Sequence, residues 1–463
     1  MKRFILVSML FLLITDFVFA QRELTLQECR NLAVKNNKEL KISSEKINVA
    51  DLEKKAAFTK YFPQISANGA YMRNQKNLNL LDMEQLAGSL SSSLGGLADL
   101  PFIQNALGGV NEVQHLDIQN VWVGNVALVQ PVFLGGKIVT YNQITEYAKD
   151  LARSLNDQKL QDLLYQTDEV YWQVVSLVNK KKLADSYVDL LRKTDENLSA
   201  MIAEGVATKA DGLSIKVKLN EAEMAQTKVD NGLALSRMLL AKICGLPLNE
   251  PLKLADEKLD RVTVSDNKPA ADISMAFMNR HELKSLDLVS QIYKKKERIV
   301  LADLLPSVAF SANYFVTNPN VFNGFKNDFA GMFNFGFMVR VPITSWWEGS
   351  YKRKAAKAES RIKQWELEDA REKIELQVNQ SVYKMNEASK KLVASNRNME
   401  NAEENLRSAN FGFEEGVIPA LNLMAAQTAW FSAHSTLIDS QIEMKLAEVY
   451  LNKALGKNLQ ENN

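Results

Sequence analysis

Three histidines, His115, His281 and His434, and two cysteines, Cys29 and Cys244, are the residues with which this chain could ligate a metal or mount nucleophilic catalysis. Their spacing supports neither. The histidines lie far apart, one in a long insertion, one early in a helical segment and one in the last helical segment. None forms a spaced pair with Cys or a carboxylate that resembles a metal set. The 15 methionines are scattered, which suits core and helix packing better than a relay for soft metals. Glycine-rich phosphate loops and nucleophile elbows are absent from the sequence. No catalytic residue, metal site or cofactor is therefore expected. Cys29 and Cys244 could pair in an oxidising compartment, but two unpaired, half-buried thiols are the simpler expectation.

With no reactive constellation to position, the elements themselves become the question. The 463 residues leave ample chain for a core, and 56 Lys+Arg nearly balance 55 Asp+Glu, so no nucleic-acid surface is indicated. The first twenty residues, MKRFILVSMLFLLITDFVFA, join a basic start to an apolar stretch ending in Ala20, the pattern of a cleavable secretory signal. Beyond it no uninterrupted apolar run reaches the length of a transmembrane helix. Any membrane span of the exported chain must then be built from strands.

The chain repeats itself. Glu39-Leu40-Lys41, Pro63 and Tyr71 recur as Glu282-Leu283-Lys284, Pro306 and Tyr314, all displaced by 243 residues (63 to 306). Pro131, Glu204-Gly205-Val206 and Gly245 recur as Pro342, Glu415-Gly416-Val417 and Gly456, displaced by 211 (131 to 342). The difference, 32, is an insertion in the first half between Tyr71 and Pro131. Several landmarks in order at constant spacing mark a duplicated unit.

Each unit predicts an opening amphipathic helix, about 25–61 and 271–303, stopped by Pro63 or Pro306. Thr25 followed by Glu28 fits a capping box at the first of these. Two period-two strands follow. Ile65, Ala67, Gly69 and Tyr71 alternate with polar neighbours, as do Val308, Phe310, Ala312 and Tyr314, while Phe333, Phe335 and Phe337 alternate with Asn334 and Gly336. In a soluble sandwich the apolar side would face a core; in an outer-membrane barrel it would face lipid, with the polar side lining a lumen. Four strands cannot close a barrel, so strands that span a membrane require an oligomer.

Sharp turns are expected at Gly135-Gly136 and at Glu348-Gly349, each opening a long helix free of Gly and Pro, about 137–203 and 350–411. At 1.5 Å per residue such rods approach about 100 Å, the regime of coiled coils. Each is followed, after a few residues, by a returning helix, about 208–243 and 419–455, so each pair is an antiparallel hairpin. Glu-Gly-Val is the reversal point: the glycine supplies the C-cap, and Pro419 suits the first turn of the returning helix.

Duplicated halves, two short strands per half, paired long helices and the tip pattern Phe413, Gly416, Val417, Leu421, Leu423, Ala426, Gln427, ending in Tyr450, Leu455 and Gly456, together resemble the TolC family of outer-membrane efflux ducts. The first half carries a weaker echo in Gly205, Asp211, Leu213, Leu239 and Gly245. The resemblance implies an α+β membrane protein: long antiparallel helical hairpins forming an α-barrel, and four strands per chain contributing to a trimeric 12-stranded β-barrel. It also implies a homotrimer in outer-membrane lipid, working with a periplasmic adaptor and an inner-membrane transporter of the resistance-nodulation-division or ABC type. Gly205, Val206, Gly416, Val417 and Ile418 would be the docking tip, and Asp211, Asn422, Ala425 and Glu415 the gate candidates. Asn422 and Ala425 stand where the best-known family member is acidic, so the double acidic ring is not expected here. Ile65, Tyr71, Val308, Phe310, Phe333, Phe335 and Phe337 would face lipid.

The expected organisation is a signal peptide (1–20), then in repeat 1 a periplasmic helix (21–62), a β-hairpin (63–134) with an external loop at 76–119, and a helical hairpin (135–246). A linker (247–270) leads to repeat 2, with its first helix (271–305), β-hairpin (306–345), helical hairpin (346–456) and tail (457–463). Three functions fit: an exit duct for small molecules, the outer-membrane component of a type I protein secretion system, or a structural periplasmic coiled-coil protein.

Overall fold

The computed structural model describes residues 23–75, 78–79, 115–116, 118–259, 271–323 and 326–457. The expected signal peptide, most of the 76–119 loop, part of the linker and most of the tail lie outside the described residues. In chain order the elements are β1 (Glu23–Leu24), α1 (Leu26–Asn36), α2 (Lys38–Phe58), β2 (Gln64–Arg73), β3 (Leu78–Asn79), β4 (His115–Leu116), β5 (Asn120–Leu134), α3 (Lys137–Ala203), α4 (Lys209–Cys244) and β6 (Lys253–Leu254). They continue with α5 (Ile273–Asn279), α6 (His281–Ala302), β7 (Ser307–Asn318), β8 (Ala330–Arg340), α7 (Trp346–Glu414) and α8 (Ala420–Ala454). Two compact units result, one of residues 1–50, 148–290 and 363–463, the other of 51–147 and 291–362.

The second unit is built on a four-stranded antiparallel sheet in the order β2-β5-β7-β8. Register assigns every side chain to a face, because directly opposed residues share one. Tyr71 pairs with Trp122, Val126 with Tyr314, and Tyr314 with Phe333. Ile65, Tyr71, Val308, Phe310, Phe333, Phe335 and Phe337 therefore all lie on one face. The other face carries Asn68 opposite Asn125 and Asn313 opposite Asn334, and the Asn313 amide donates to Asn334 Oδ1 at 3.1 Å. Pro131 sits in β5, an inner strand, where its missing N–H would break the ladder. A register shift between Pro131 and Phe133, leaving Val132 over, accommodates it.

The first unit has a helical core. Cys29 and Ala33 of α1, Tyr171 and Val174 of α3, and Leu240 and Cys244 of α4 pack together with Leu254 of β6, which pairs in parallel with β1. Both cysteines are free and fully buried, not half-buried, and the Cys244 thiol donates to the Cys29 carbonyl at 3.6 Å. Thr25 and Glu28 do form the capping box of α1. Asp168, without exposed surface, takes both Nε and Nη2 of Arg30, at 2.7 and 2.6 Å.

Two expectations are corrected. The opening helices are not continuous: the first breaks at Asn37 (ψ 126°) and the second at Arg280 (ψ 114°), which are 243 residues apart and thus equivalent. The break faces the end of the returning helix of the same repeat. Asn37 Nδ2 donates to the Ile243 carbonyl at 3.3 Å, and Arg280 Nη1 donates to the Lys453 and Ala454 carbonyls at 3.2 and 3.4 Å. Each side chain satisfies helix-terminal carbonyls that have no partner within their own helix. Secondly, Glu348-Gly349 is not a turn. Gly349 lies in the first turn of α7, where a Cβ would come within 2.0 Å of Leu304 Cδ2, so glycine is kept there by close packing.

Glycines at the ends of α3 and α4 separate strain from crowding. Gly245 has φ +69° and a Cβ there would meet Asn36 Cβ at 2.4 Å, whereas Gly205 has φ +76° and open space around it. Gly205→Ala is expected to cost about 1–2 kcal/mol, the left-handed strain alone. Gly245→Ala adds a backbone clash and is expected to cost more than that. Urea-unfolding midpoints of the two variants check the order.

Candidate functional site: the hairpin tips

Both long helices end in the same way. Gly205 N–H donates to the Ile202 carbonyl at 3.1 Å and Val206 N–H to Met201 at 2.9 Å; Gly416 N–H donates to Phe413 at 3.1 Å and Val417 N–H to Gly412 at 2.8 Å. These paired bonds, with glycine at φ +76° and +70°, are Schellman motifs. They turn the chain outward at a valine, and Val206 and Val417 are 70% and 77% exposed.

The gate candidates fall at these tips but do different work. Asp211 is the third residue of α4. Its carboxylate accepts from the Thr208 N–H at 3.1 Å and the Thr208 hydroxyl at 2.6 Å, while Thr208 Oγ1 accepts from the Asp211 N–H. It is the acidic half of a capping box. Asn422 occupies the equivalent position, 211 residues on, with no box to close, because Pro419 is the N-cap and has neither N–H nor side-chain oxygen. Pro419 thus precedes α8 instead of sitting in its first turn. Glu415 is exposed at the end of α7, and Ala425 lies on an exposed face of α8. Ile418 differs from the other tip residues: half-buried, it packs back onto the cluster of Leu198, Ile215, Phe413 and Leu423.

Two features escaped the sequence reading. Leu213 and Leu421 are exposed near the tips, and a groove of about 710 Å³ runs between α4 and α8, lined by Val217 and Lys218 on one side and by Leu421, Met424, Ala425 and Thr428 on the other. Apolar spacing on each helix is visible in the sequence, but which residues remain uncovered depends on how the two hairpins pack. The Thr208-x-x-Asp211 box, in contrast, has a spacing signature that sequence alone can show.

Residues 273–457 match the family model described as outer membrane efflux protein. The matched segment is the second repeat, from α5 through α8. Solved outer-membrane channels share the chain's fold over nearly the full length. The CmeC channel of Campylobacter jejuni is 12% identical with a TM-score of 0.76, covering 93% of this chain and 85% of the other. VceC of Vibrio cholerae is 12% identical with a TM-score of 0.71, covering 93% and 96%. The open-state MtrE channel of Neisseria gonorrhoeae is 16% identical with a TM-score of 0.70, covering 93% and 88%. No curated protein sequence matches the chain.

The two hairpins are tied together behind the tips. Tyr187 of α3 stacks on Phe431 of α8 at 4.3 Å between centroids, and the fully buried Gln427 donates from Nε2 to Thr194 Oγ1 at 2.9 Å. His434, one turn further along α8, borders a cavity of about 380 Å³ and lies edge-on to Trp430. Burial holds its imidazole below the usual histidine range, opposed by the Glu403 charge. Among the described residues no group of three or more His, Cys, Asp or Glu could hold a metal.

Proposed function

We propose that three copies of this chain form a passive exit duct of the outer membrane, through which a periplasmic adaptor and an inner-membrane transporter export small molecules. The observation that carries the reading is the four-stranded sheet. Its Phe-rich face is open to its surroundings, its other face bears the Asn pairs, and among the described residues β2 and β8 each have one unpaired edge within a single chain. A lone sheet with unpaired edges is unsuited to lipid, where every backbone group needs a partner. Joining β8 of one copy to β2 of the next removes the edges and gives twelve strands, beyond the roughly eight that enclose only side chains. The apolar face then meets lipid and the Asn face lines the channel.

The tips and the groove between α4 and α8 are the adaptor end. Exposed Val206, Val417, Leu213 and Leu421 supply apolar contact area, and Lys218 supplies a polar rim. The capping role of Asp211 keeps its carboxylate tied to its own helix, so closure of this duct relies on hairpin packing more than on an acidic ring.

Two measurements test the duct. Membrane fractions should show a heat-modifiable trimer after crosslinking; a soluble periplasmic monomer would overturn the reading. Phe335→Arg, on the apolar face, is expected to destabilise the inserted trimer by about 2–4 kcal/mol, while Asn334→Arg, on the opposite face, changes little. Equal effects from both would remove the assignment of faces.

A further inference from the structure

The apolar stripe of the sheet does not stop where β8 ends. Phe335, Phe337 and Val339 continue in steps of two through Val341 to Ile343, which is 81% exposed, and then meet Trp346 and Trp347 at the start of α7, the latter 82% exposed. One turn on, Tyr351 is exposed, with the Lys354 ammonium 5.5 Å from its ring centre. Exposed Lys352, Arg353, Lys354 and Lys357 follow on the next turns. Register places a second aromatic group toward the same end of the sheet: Gln64 pairs with Val129, Val129 with Ser311 and Ser311 with Gly336, so the start of β2 stands level with Gly336, four residues before the end of β8. There the exposed Phe58, Tyr61 and Phe62 stack edge-on around Phe58, beside Lys60.

From this arrangement we infer that the β8–α7 junction is a binding surface for phospholipid at the membrane–water boundary, its aromatics seated at headgroup level and its cations pairing with lipid phosphate. Three features of the surface agree on that occupant. The junction continues the stripe that meets acyl chains in the duct reading, on which the inference rests. Amphipathic Trp and Tyr rings prefer the boundary over either water or hydrocarbon. The charge on α7 from Lys352 to Lys357 is positive although the whole chain is nearly neutral; Lys352 pairs with Glu348 at 2.6 Å and Arg353 reaches Glu297 at 4.0 Å, while Lys354 and Lys357 add the excess that complements a phosphate layer and not an apolar partner. A protein partner would need to bury Lys and Arg beside Trp, whereas lipid leaves those cations hydrated.

The test uses the full chain in phospholipid vesicles. In one variant Trp122, Trp172, Trp365 and Trp430 become Phe, so that only Trp346 and Trp347 emit; in another, Trp122 alone remains to report on the strands. Lipids brominated next to the headgroup are expected to quench Trp346 and Trp347 strongly, and lipids brominated near the chain end weakly. As a minor component, brominated phosphatidylglycerol should quench about fivefold more effectively than brominated phosphatidylcholine, and K352E/R353E/K354E should abolish that preference. Unquenched Trp346 and Trp347 with a quenched Trp122 would overturn the lipid surface alone. Were Trp122 unquenched too, the barrel reading itself would fail. Strong quenching without a phosphatidylglycerol preference would overturn the phosphate pairing.

Discussion

Gly416→Val is expected to abolish export while trimer assembly and membrane insertion persist. Gly416 stands at φ +70°, the conformation that lets α7 end in a Schellman motif and sends the chain back as α8. Nothing lies within 4 Å of a Cβ placed there, so the substitution fails by backbone strain and not by collision. An L residue in that region costs about 1–2 kcal/mol, and a β-branched one has fewer rotamers with which to relieve it. The turn reopens locally and Val417 and Leu421 lose their positions. The sheet belongs to the other compact unit and keeps its ladders. Susceptibility to an exported toxicant measures the loss, and the crosslinked trimer measures what survives. Gly416→Ala should fall between the two. Full export by the valine variant would remove the tips from the mechanism.

Asp168→Ala is expected to be the most destabilising single change in the helical unit, by about 3–5 kcal/mol, because it leaves the Arg30 guanidinium in a site shaped for an ion pair. Burial raises the Asp168 carboxyl above the ordinary aspartate range despite the pull of Arg30. The sign follows: a carboxyl raised in the folded state favours folding most below its unfolded value, and that contribution is lost as pH rises through the folded value. The pair therefore holds α1 against α3 by bidentate geometry and not by a surplus of charge attraction. A double replacement, Arg30→Met with Asp168→Leu, should recover much of the stability that either single change removes. Thermal dissociation of the trimer and resistance to protease give the ranking. An alanine variant as stable as the parent would show that the pair contributes nothing net.

Both predictions rest on positions that differ in how visible they are in the sequence. Gly416 announces itself, since Glu-Gly-Val breaks a Gly-free helical stretch and recurs 211 residues away. Asp168 does not: within α3 it looks like any acidic residue on a solvated helix face. Its partner is 138 residues distant, and only the docking of α1 on α3 removes both from water.

The strands show the same division. Period-two alternation, read along each strand, picked out seven apolar residues, and the backbone can place them only on alternate sides of a pleated ribbon. That they share one continuous face across β2, β5, β7 and β8 depends on register, which alternation within a strand does not specify. In β5 the sequence VWVGNVALVQP is apolar on both sides, and its faces are set by its two neighbours and by the shift beside Pro131.

The sequence by itself determined the duplication, the four strands, the long helices and the glycine-centred tips, since each arises from local periodicity or from a residue with a restricted backbone. Tertiary structure alone decided that the opening helices break at Asn37 and Arg280 and that Gly349 is helical. It alone also decided that α4 and α8 enclose a groove. These outcomes depend on what a segment meets after the chain has folded back by one or two hundred residues, and no local pattern encodes that encounter.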